Sequence, residues 1–361
     1  MNSKKKIIIF RTDRLGDFII HSRPIYELRK KIKNSYIIVV CSKLNKKILN
    51  ECNYIDELII YDKNLFFLSR LKIFFSIIFN KYYAAFILDG KNFSYLCNIF
   101  LFSKYKFGMI YRSYIFILKK KLSLHKPSKL YASFFFTKYE TFTSRKYLTK
   151  NENLCQKYLN LFNFFNLDLK STDGYFFEPN TSSIKLFEDI KKFINLKDYV
   201  LIHFDEKWLD ITNHDVDLKD AIDNFYSNIK KTIIITSYNN NFRYFKKLKQ
   251  SYNYFNLHNN QIHNLKNSNI FILDNLEIFL FEQFLKNSII NISCHSGFIA
   301  QVCGANSGKL IDIINEKDLE WYSCWAPVNT FHKFIFKSTI KDGQITSKKF
   351  FYEISKIINK L

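Results

Sequence analysis

Along the chain, short apolar runs of β-branched and aromatic residues alternate with longer segments whose apolar residues recur every three or four positions. That alternation is the pattern of βαβ units wound around parallel sheets. In the first half the runs predict strands over Lys6–Phe10, Tyr36–Cys41, Glu57–Tyr61, Ala84–Leu88 and Lys106–Ile110, with a first helix over Phe18–Lys33. Ile19, Pro24, Ile25, Leu28 and Ile32 share one side of that helix, and Arg29, Lys30, Lys31 and Lys33 gather at its end, where cations suit the helix dipole. A polar, basic stretch around Lys119–Lys150 and a turn-like Ser171–Gly174 interrupt the pattern, which resumes at Tyr199–Phe204. Further strands are predicted over Thr232–Thr236, Ile270–Leu273, Ile289–Ser293 and Lys309–Ile314, with helices near Leu218–Ile229, Asn241–Ser251, Leu276–Lys286 and Phe298–Val302. The expectation is an α/β protein of two doubly wound domains in tandem, 1–175 and 176–340. A closing segment, 341–361, would form a helix over Lys348–Leu361 that packs back across the first domain. No fixed-period repeat, low-complexity tract or heptad pattern is present.

Composition supports a folded protein. With 47% hydrophobic residues, 8 Gly and 4 Pro in 361 residues, neither a collagen-like nor a disordered chain fits. The 39 Phe and 23 Tyr follow a uniform bias and do not by themselves mark stacking sites. Seven cysteines (Cys41, Cys52, Cys97, Cys155, Cys294, Cys303 and Cys324) form no CxxC pair or Cys/His cluster of the metal-binding kind, and a reducing compartment is expected. Met1–Phe10 lacks the apolar stretch of a signal peptide. Arg70 and Lys72 interrupt Leu65–Phe79, and Lys104 and Lys106 follow Leu96–Phe102, so no run reaches the ~20 apolar residues of a membrane span. A cytoplasmic location is the reading.

Charge changes the picture. The formal net charge is +23; residues 1–150 hold 30 Lys+Arg against 9 Asp+Glu, or +21, which leaves +2 for the rest. A basic first domain draws an anionic partner: nucleic acid, a phosphorylated glycolipid or an acidic leaflet. No helix-turn-helix, zinc-finger, RRM or KH signature accompanies the charge, so the expected partners are an anionic glycan or glycolipid and the cytoplasmic face of a membrane, touched peripherally, and no nucleic acid.

In doubly wound sheets ligands sit beyond the carboxyl ends of the strands, and two such sheets facing one another would enclose a cleft. The first strand runs into Arg11-Thr12-Asp13-Arg14-Leu15-Gly16-Asp17 and then a helix. Gly16 permits close backbone approach or a positive φ, helix amides can meet an anion, and Arg11 and Arg14 add fixed positive charge. Asp17 reads equally as a helix cap or as a general base for an attacking hydroxyl. Neither GxGxxG nor a P-loop lysine pattern is present. At the start of the second domain, His203-Phe204-Asp205-Glu206-Lys207-Trp208 reads as a polar mouth, with Lys207 suited to a diphosphate. Asn291–Phe298 joins a strand to a helix through His295, Ser296 and Gly297, whose amides would cradle a phosphate. Cys294 reads as structural, because neighbours in a strand point to opposite faces and cannot both serve one site with His295.

These residues resemble a family, the heptosyltransferase-like glycosyltransferases of family 9. Arg11–Asp17 running into Phe18–Pro24 and Leu28 is similar to the family's first strand, Gly-Asp loop and proline-containing helix. Asn53–Glu57 resembles its approach to the third strand, Lys207-Trp208 its donor-phosphate lysine and tryptophan, Ile292–Val302 its Asp-Ser/Thr-Gly-x-x-His turn, and Trp325-Ala326-Pro327 a later element. The resemblance implies a GT-B fold of two Rossmann-like domains facing across a cleft. It also implies an inverting, metal-independent transfer of a heptose or related sugar from a nucleotide donor, often ADP-linked, to a lipopolysaccharide core or similar glycan. No cofactor or metal is expected. By that resemblance Asp17 is the base, Lys207 the diphosphate ligand, and Ser296 and Gly297 the turn under the donor phosphates. The loops themselves add Arg11, Asp13 and Arg14 as expected acceptor contacts, and Gly16, His203, Thr236, Ser237 and His295 as expected donor contacts. Two positions depart: His295 stands where the family has Asp, and Ala300 where it has the helix His. They motivate the alternative of a glycan- or nucleotide-binding protein that keeps the fold without transfer.

Overall fold

Ile7, Ile8, Ile9 and Phe10 are all fully buried, the behaviour of a strand covered on both faces. In the computed structural model, which describes residues 4–62, 64–117, 120–143, 153–208, 218–237, 243–257, 261–263, 268–274, 276–327, 330–337 and 347–360, this run is β1 (Lys5–Arg11). The chain divides into two compact units, residues 1–178 with 320–325, and residues 179–319 with 326–361.

The first unit continues through α1 (Leu15–Lys31), β2 (Ser35–Cys41), α2 (Lys46–Leu49), β3 (Glu57–Ile60), α3 (Phe67–Ile78), β4 (Lys81–Ile87), α4 (Asn92–Phe100), β5 (Phe102–Ile117), β6 (Lys120–Lys126), α5 (Lys129–Phe135), β7 (Lys138–Thr143) and α6 (Leu154–Phe162). Its sheet has the order β3-β2-β1-β4-β5-β6, with β7 pairing along β5. All pairs are parallel except β5 with β6. One face carries α3, α4 and α5: Ile77, Tyr95, Cys97 and Ala132 share a core with Ile8, Phe10, Ala85 and Ile87. The other face meets α6, where Phe86 stacks on Phe162 at 4.4 Å. Helix α1 begins earlier than its apolar period suggests. The Arg14 N–H donates to Asp17 Oδ2 at 3.3 Å in a capping box, which brings Leu15, Gly16 and Asp17 into the first turn.

The second unit contains α7 (Thr181–Phe193), β8 (Tyr199–Phe204), α8 (Leu218–Ile229), β9 (Thr232–Ser237), α9 (Arg243–Ser251), β10 (Asn253–Asn256), β11 (Gln261–His263), β12 (Ile270–Asp274), α10 (Ile278–Asn287), β13 (Ile290–Ser293), α11 (Gly297–Ala305) and β14 (Lys309–Ile314). After β14 the short α12 (Leu319–Ser323) leads into the segment that joins the first unit, where the Trp325 ring stacks on Tyr158 at 5.9 Å. The chain then returns as β15 (Phe331–Phe336) and α13 (Ser347–Ile358). The eight strands run in the order β11-β10-β12-β9-β8-β13-β14-β15, parallel but for β10 with β11.

Two expectations change. The final helix belongs to the second unit: Phe350, Phe351 and Ile354 are buried in the same core as Ala221, Ile222 and Phe225 of α8. Its apolar stripe is satisfied there, and residues 320–325 are the part of the late chain that enters the first unit. The Trp208 ring, expected at a polar mouth, is fully buried in the second core. The predicted start of the helix at Asn241 lies outside the described residues. Among the described residues no helix is long and apolar enough to cross a membrane.

In each sheet the order changes direction at the unit's first strand. β1 has β2 on one side and β4 on the other; β8 has β9 on one side and β13 on the other. The loops leaving β1 and β4, and those leaving β8 and β13, therefore flank the topological switch points where open α/β sheets bind ligands.

Candidate functional site

At the first switch point the organising group is Arg11. Its side chain lies at the end of β1 and the residue is 1% exposed. Nε donates to the Asp17 carbonyl at 3.1 Å, and the guanidinium donates to the Leu88 carbonyl, lies 3.2 Å from Asp13 and 3.8 Å from Asp17, and sits 5.2 Å over the Tyr158 ring. Burial opposes its charge, but Tyr158, Asp17 and Asp13 outweigh burial and hold the group above its ordinary range. An arginine so enclosed does not reach a ligand outside the loop. The acceptor contact expected of Arg11 is thus corrected to a framing role, and Arg14, which is exposed, is the arginine that faces solvent.

Asp13 is held from two sides, by Arg11 and by Lys91 Nζ at 3.1 Å, while its carbonyl accepts from Ser42 Oγ and Asn45 Nδ2. Asp17 remains 42% exposed at its side chain, so a carboxylate oxygen is open to a partner even with the cap bond formed. Gly16 lies in the first helical turn and does not use the positive φ that glycine allows. The sequence reading missed Asp89, which follows β4. Its carboxylate accepts from Thr12 Oγ1 at 2.6 Å, Ser94 Oγ at 2.8 Å and the Lys91 N–H at 3.1 Å. Burial raises its pKa, against the pull of those bonds. The neighbouring Gly90 has φ +63, and a Cβ there would fall 2.2 Å from the Tyr111 ring, so the turn needs glycine twice over. His21 is buried beneath the loop and is pushed well below its ordinary range by burial and by Arg11. Its neutral ring donates from Nδ1 to the Asp17 carbonyl at 2.9 Å.

At the second switch point the structure joins most of the predicted donor residues. Lys207 Nζ donates to the His295 carbonyl and lies 3.7 Å from Asp205. His203 Nδ1 meets Thr236 Oγ1 at 3.0 Å, and Ser237 is buried one register step along, paired with Phe204. Ser296 is the N-cap of α11 but its side chain makes no capping bond, so the first-turn amides of Gly297 and Phe298 are left for an incoming anion. His295 adopts φ +49, a left-handed conformation uncommon outside glycine. Its Nδ1 donates to Asp312 Oδ2 at 2.6 Å; His332 Nε2 reaches the same oxygen at 3.2 Å, and Ser293 Oγ donates to Oδ1 at 3.3 Å. Burial alone would raise the Asp312 carboxyl, but the bonds from His295 and His332 outweigh it and hold it below the usual range. Asp312 and His332 were not expected from sequence, although a charged residue in the middle of the apolar run Leu310–Ile314 is the signal that could have found the first. Cys294 is buried, which pushes its thiol far above the ordinary range and agrees with a structural role.

Burial sets two opposed titrations here. His203 is lowered to about 4 by burial with Lys207 adding to it, and Asp205 is raised to about 6 by burial against Lys207. Between pH 4 and 6 the unfolded chain binds more protons at His203 than the folded one, so that group makes stability rise with pH. At Asp205 the folded state holds the extra proton, and stability falls with pH over the same window. The two nearly cancel in the unaltered protein. Relative to it, His203→Gln is expected to lose about 2–3 kcal/mol of stability from pH 4 to 6, and Asp205→Asn to gain a similar amount. Urea unfolding at the two pH values reads the difference; parallel profiles for all three proteins would contradict these assignments.

No family model and no curated protein matches the chain. Solved structures do. A glycosyl transferase of family 9 from Veillonella parvula DSM 2008 aligns over 99% of this chain and 90% of its own with a TM-score of 0.63 at 12% identity. The ADP-heptose lps heptosyltransferase II of E. coli aligns over 99% of both chains with a TM-score of 0.61 at 10% identity. The E. coli heptosyltransferase WaaC with ADP aligns over 97% of this chain and 99% of its own with a TM-score of 0.58 at 13% identity. At such identities the likeness establishes the fold: two Rossmann-like units of the GT-B type.

Proposed function

We propose that the chain is a glycosyltransferase that moves a heptose or related sugar from a nucleotide-sugar, ADP-linked, to an anionic cell-envelope glycan of the lipopolysaccharide-core kind, with inversion. The observation that carries the reading is the meeting of Lys207, His295 and the uncapped start of α11 at the second switch point. A compact ammonium beside unpartnered helix amides, at the place where open α/β sheets bind nucleotides, suits a diphosphate. The likeness in fold to a heptosyltransferase with ADP supports a nucleotide of that kind.

In this mechanism Asp17 takes the proton from the acceptor hydroxyl as that oxygen attacks the anomeric carbon, and the bond to the nucleoside diphosphate breaks on the opposite face. The negative charge that builds on the leaving diphosphate is met by Lys207 and the amides of Gly297 and Phe298. These groups supply the positive charge that a metal would otherwise bring, which is why the transfer is proposed as metal-independent. Arg14 and the basic surface of the first unit draw the anionic acceptor, and the enzyme works from the cytoplasmic side of a membrane to which it binds peripherally.

A thermal-shift screen of ADP-, UDP-, GDP- and CMP-sugars tests the donor. A matching donor at about one hundred times its Kd should add about 2.7 kcal/mol of stability, and none of the four doing so would overturn the reading. Stabilisation with no transfer to any glycan would instead favour the binding-protein alternative motivated by His295 and Ala300.

A further inference from the structure

Helices α3, α4 and α5 lie side by side over one face of the first sheet. Phe74 of α3 meets Phe100 of α4 edge-on at 5.9 Å, and Asn98 of α4 donates to the Tyr131 hydroxyl of α5 at 3.2 Å. Their inner sides belong to the core. Their outer sides are where polar residues should be, yet Phe67, Phe75, Phe79, Phe100, Leu130 and Phe134 are between 45% and 79% exposed. Phe75 and Phe79 stack on one another at 5.7 Å at the surface. Single exposed apolar residues need no explanation; a cluster shared by three adjacent helices does.

Charge says what covers it. Residues 63–138, which contain all three helices, hold 14 Lys+Arg and a single acid, Asp89, which is buried. Lys72 of α3 and Lys129 of α5 are exposed on these helices. A second copy of the chain is the poorer occupant, since a twofold contact would set a cationic face against itself. The helices have 12, 9 and 7 residues, too short to span a bilayer but suited to lying in its interface.

We propose that the outer face of α3, α4 and α5 docks on an anionic phospholipid bilayer, with its aromatic side chains entering the headgroup boundary and its lysines meeting the lipid phosphates. Lipid binding by this face deepens the membrane contact of the preceding reading but needs no turnover, so the two fail on different measurements.

The test is sedimentation of the full-length protein with vesicles of phosphatidylcholine alone and of phosphatidylcholine with roughly a third phosphatidylglycerol. Two variants accompany it, Phe75→Ser/Phe79→Ser/Phe100→Ser and Lys72→Glu/Lys129→Glu, with far-UV circular dichroism to confirm that these surface changes leave the fold in place. The unaltered protein should bind the anionic vesicles. The aromatic variant should bind them at least ~10-fold more weakly, and the charge variant should lose about fivefold or more for each lysine reversed. Absence of binding to anionic vesicles, or binding untouched by the aromatic variant, would overturn the proposal. So would self-association in solution that the aromatic variant abolishes while lipid binding is absent, which would make the occupant a second copy of the chain.

Discussion

Asp17→Asn is expected to lower turnover by about 10²–10⁴-fold, with donor affinity and folding stability preserved. Asparagine keeps the size of the side chain and an oxygen that can accept from the Arg14 N–H, the bond that places Asp17 third in the capping box. What it loses is the ability to take a proton. The two readings of this residue therefore separate. A residue that serves only as a cap would leave turnover unchanged in the Asn variant, and its Ala variant would lose about 0.5–2 kcal/mol of stability. A base would lose turnover in both variants. Arg11 does not confuse the comparison, because its other contacts, to the Leu88 carbonyl, to Asp13 and over Tyr158, do not involve the altered carboxylate. Single-turnover rates with saturating donor isolate the chemical step, and an unchanged rate with intact donor affinity would remove Asp17 from the mechanism.

The buried frame of each unit is legible in the sequence because its strands are unbroken apolar runs, as in Ile7–Phe10, Val200–Ile202 and Ile233–Ile235, all fully buried. The strands that escape are those where one edge or face is wet. β5 runs to 16 residues, far beyond the predicted Lys106–Ile110, because its later half leaves the parallel sheet to pair with antiparallel β6, and Lys104 and Arg112 break up the apolar signal. β15 mixes exposed and half-buried positions at a sheet edge and carries no clean pattern. The switch-point loops are legible because they follow the readable strands directly. Their internal wiring is not: Arg11 finds Leu88 across 77 residues, and Lys207 finds His295 across 88. No local spacing rule encodes such pairs, since they are created by strand order.

That wiring also recasts the departure at position 295. An acid is missing from the turn itself, but Asp312 on the adjoining strand places a carboxylate 2.6 Å from His295 Nδ1. The negative charge is displaced by one strand and buried, so a ligand would sense it only through the imidazole, whose tautomer and direction it fixes. Asp312→Ala is accordingly expected to cost about 3–5 kcal/mol of stability, because His295, His332 and Ser293 all lose their acceptor and a buried donor left unsatisfied costs about 1–3 kcal/mol. Asp312→Asn should cost less, because the amide oxygen still accepts from one histidine. Both variants should weaken the stabilisation given by the donor: releasing His295 loosens the carbonyl that Lys207 holds and the turn that opens α11. Urea unfolding with and without the stabilising nucleotide-sugar measures the two effects together. If Asp312→Ala unfolds at nearly the same urea concentration as the unaltered protein, the carboxylate is not the buried anchor of this turn. If stability falls while the donor effect persists, the pair serves the sheet and not the site.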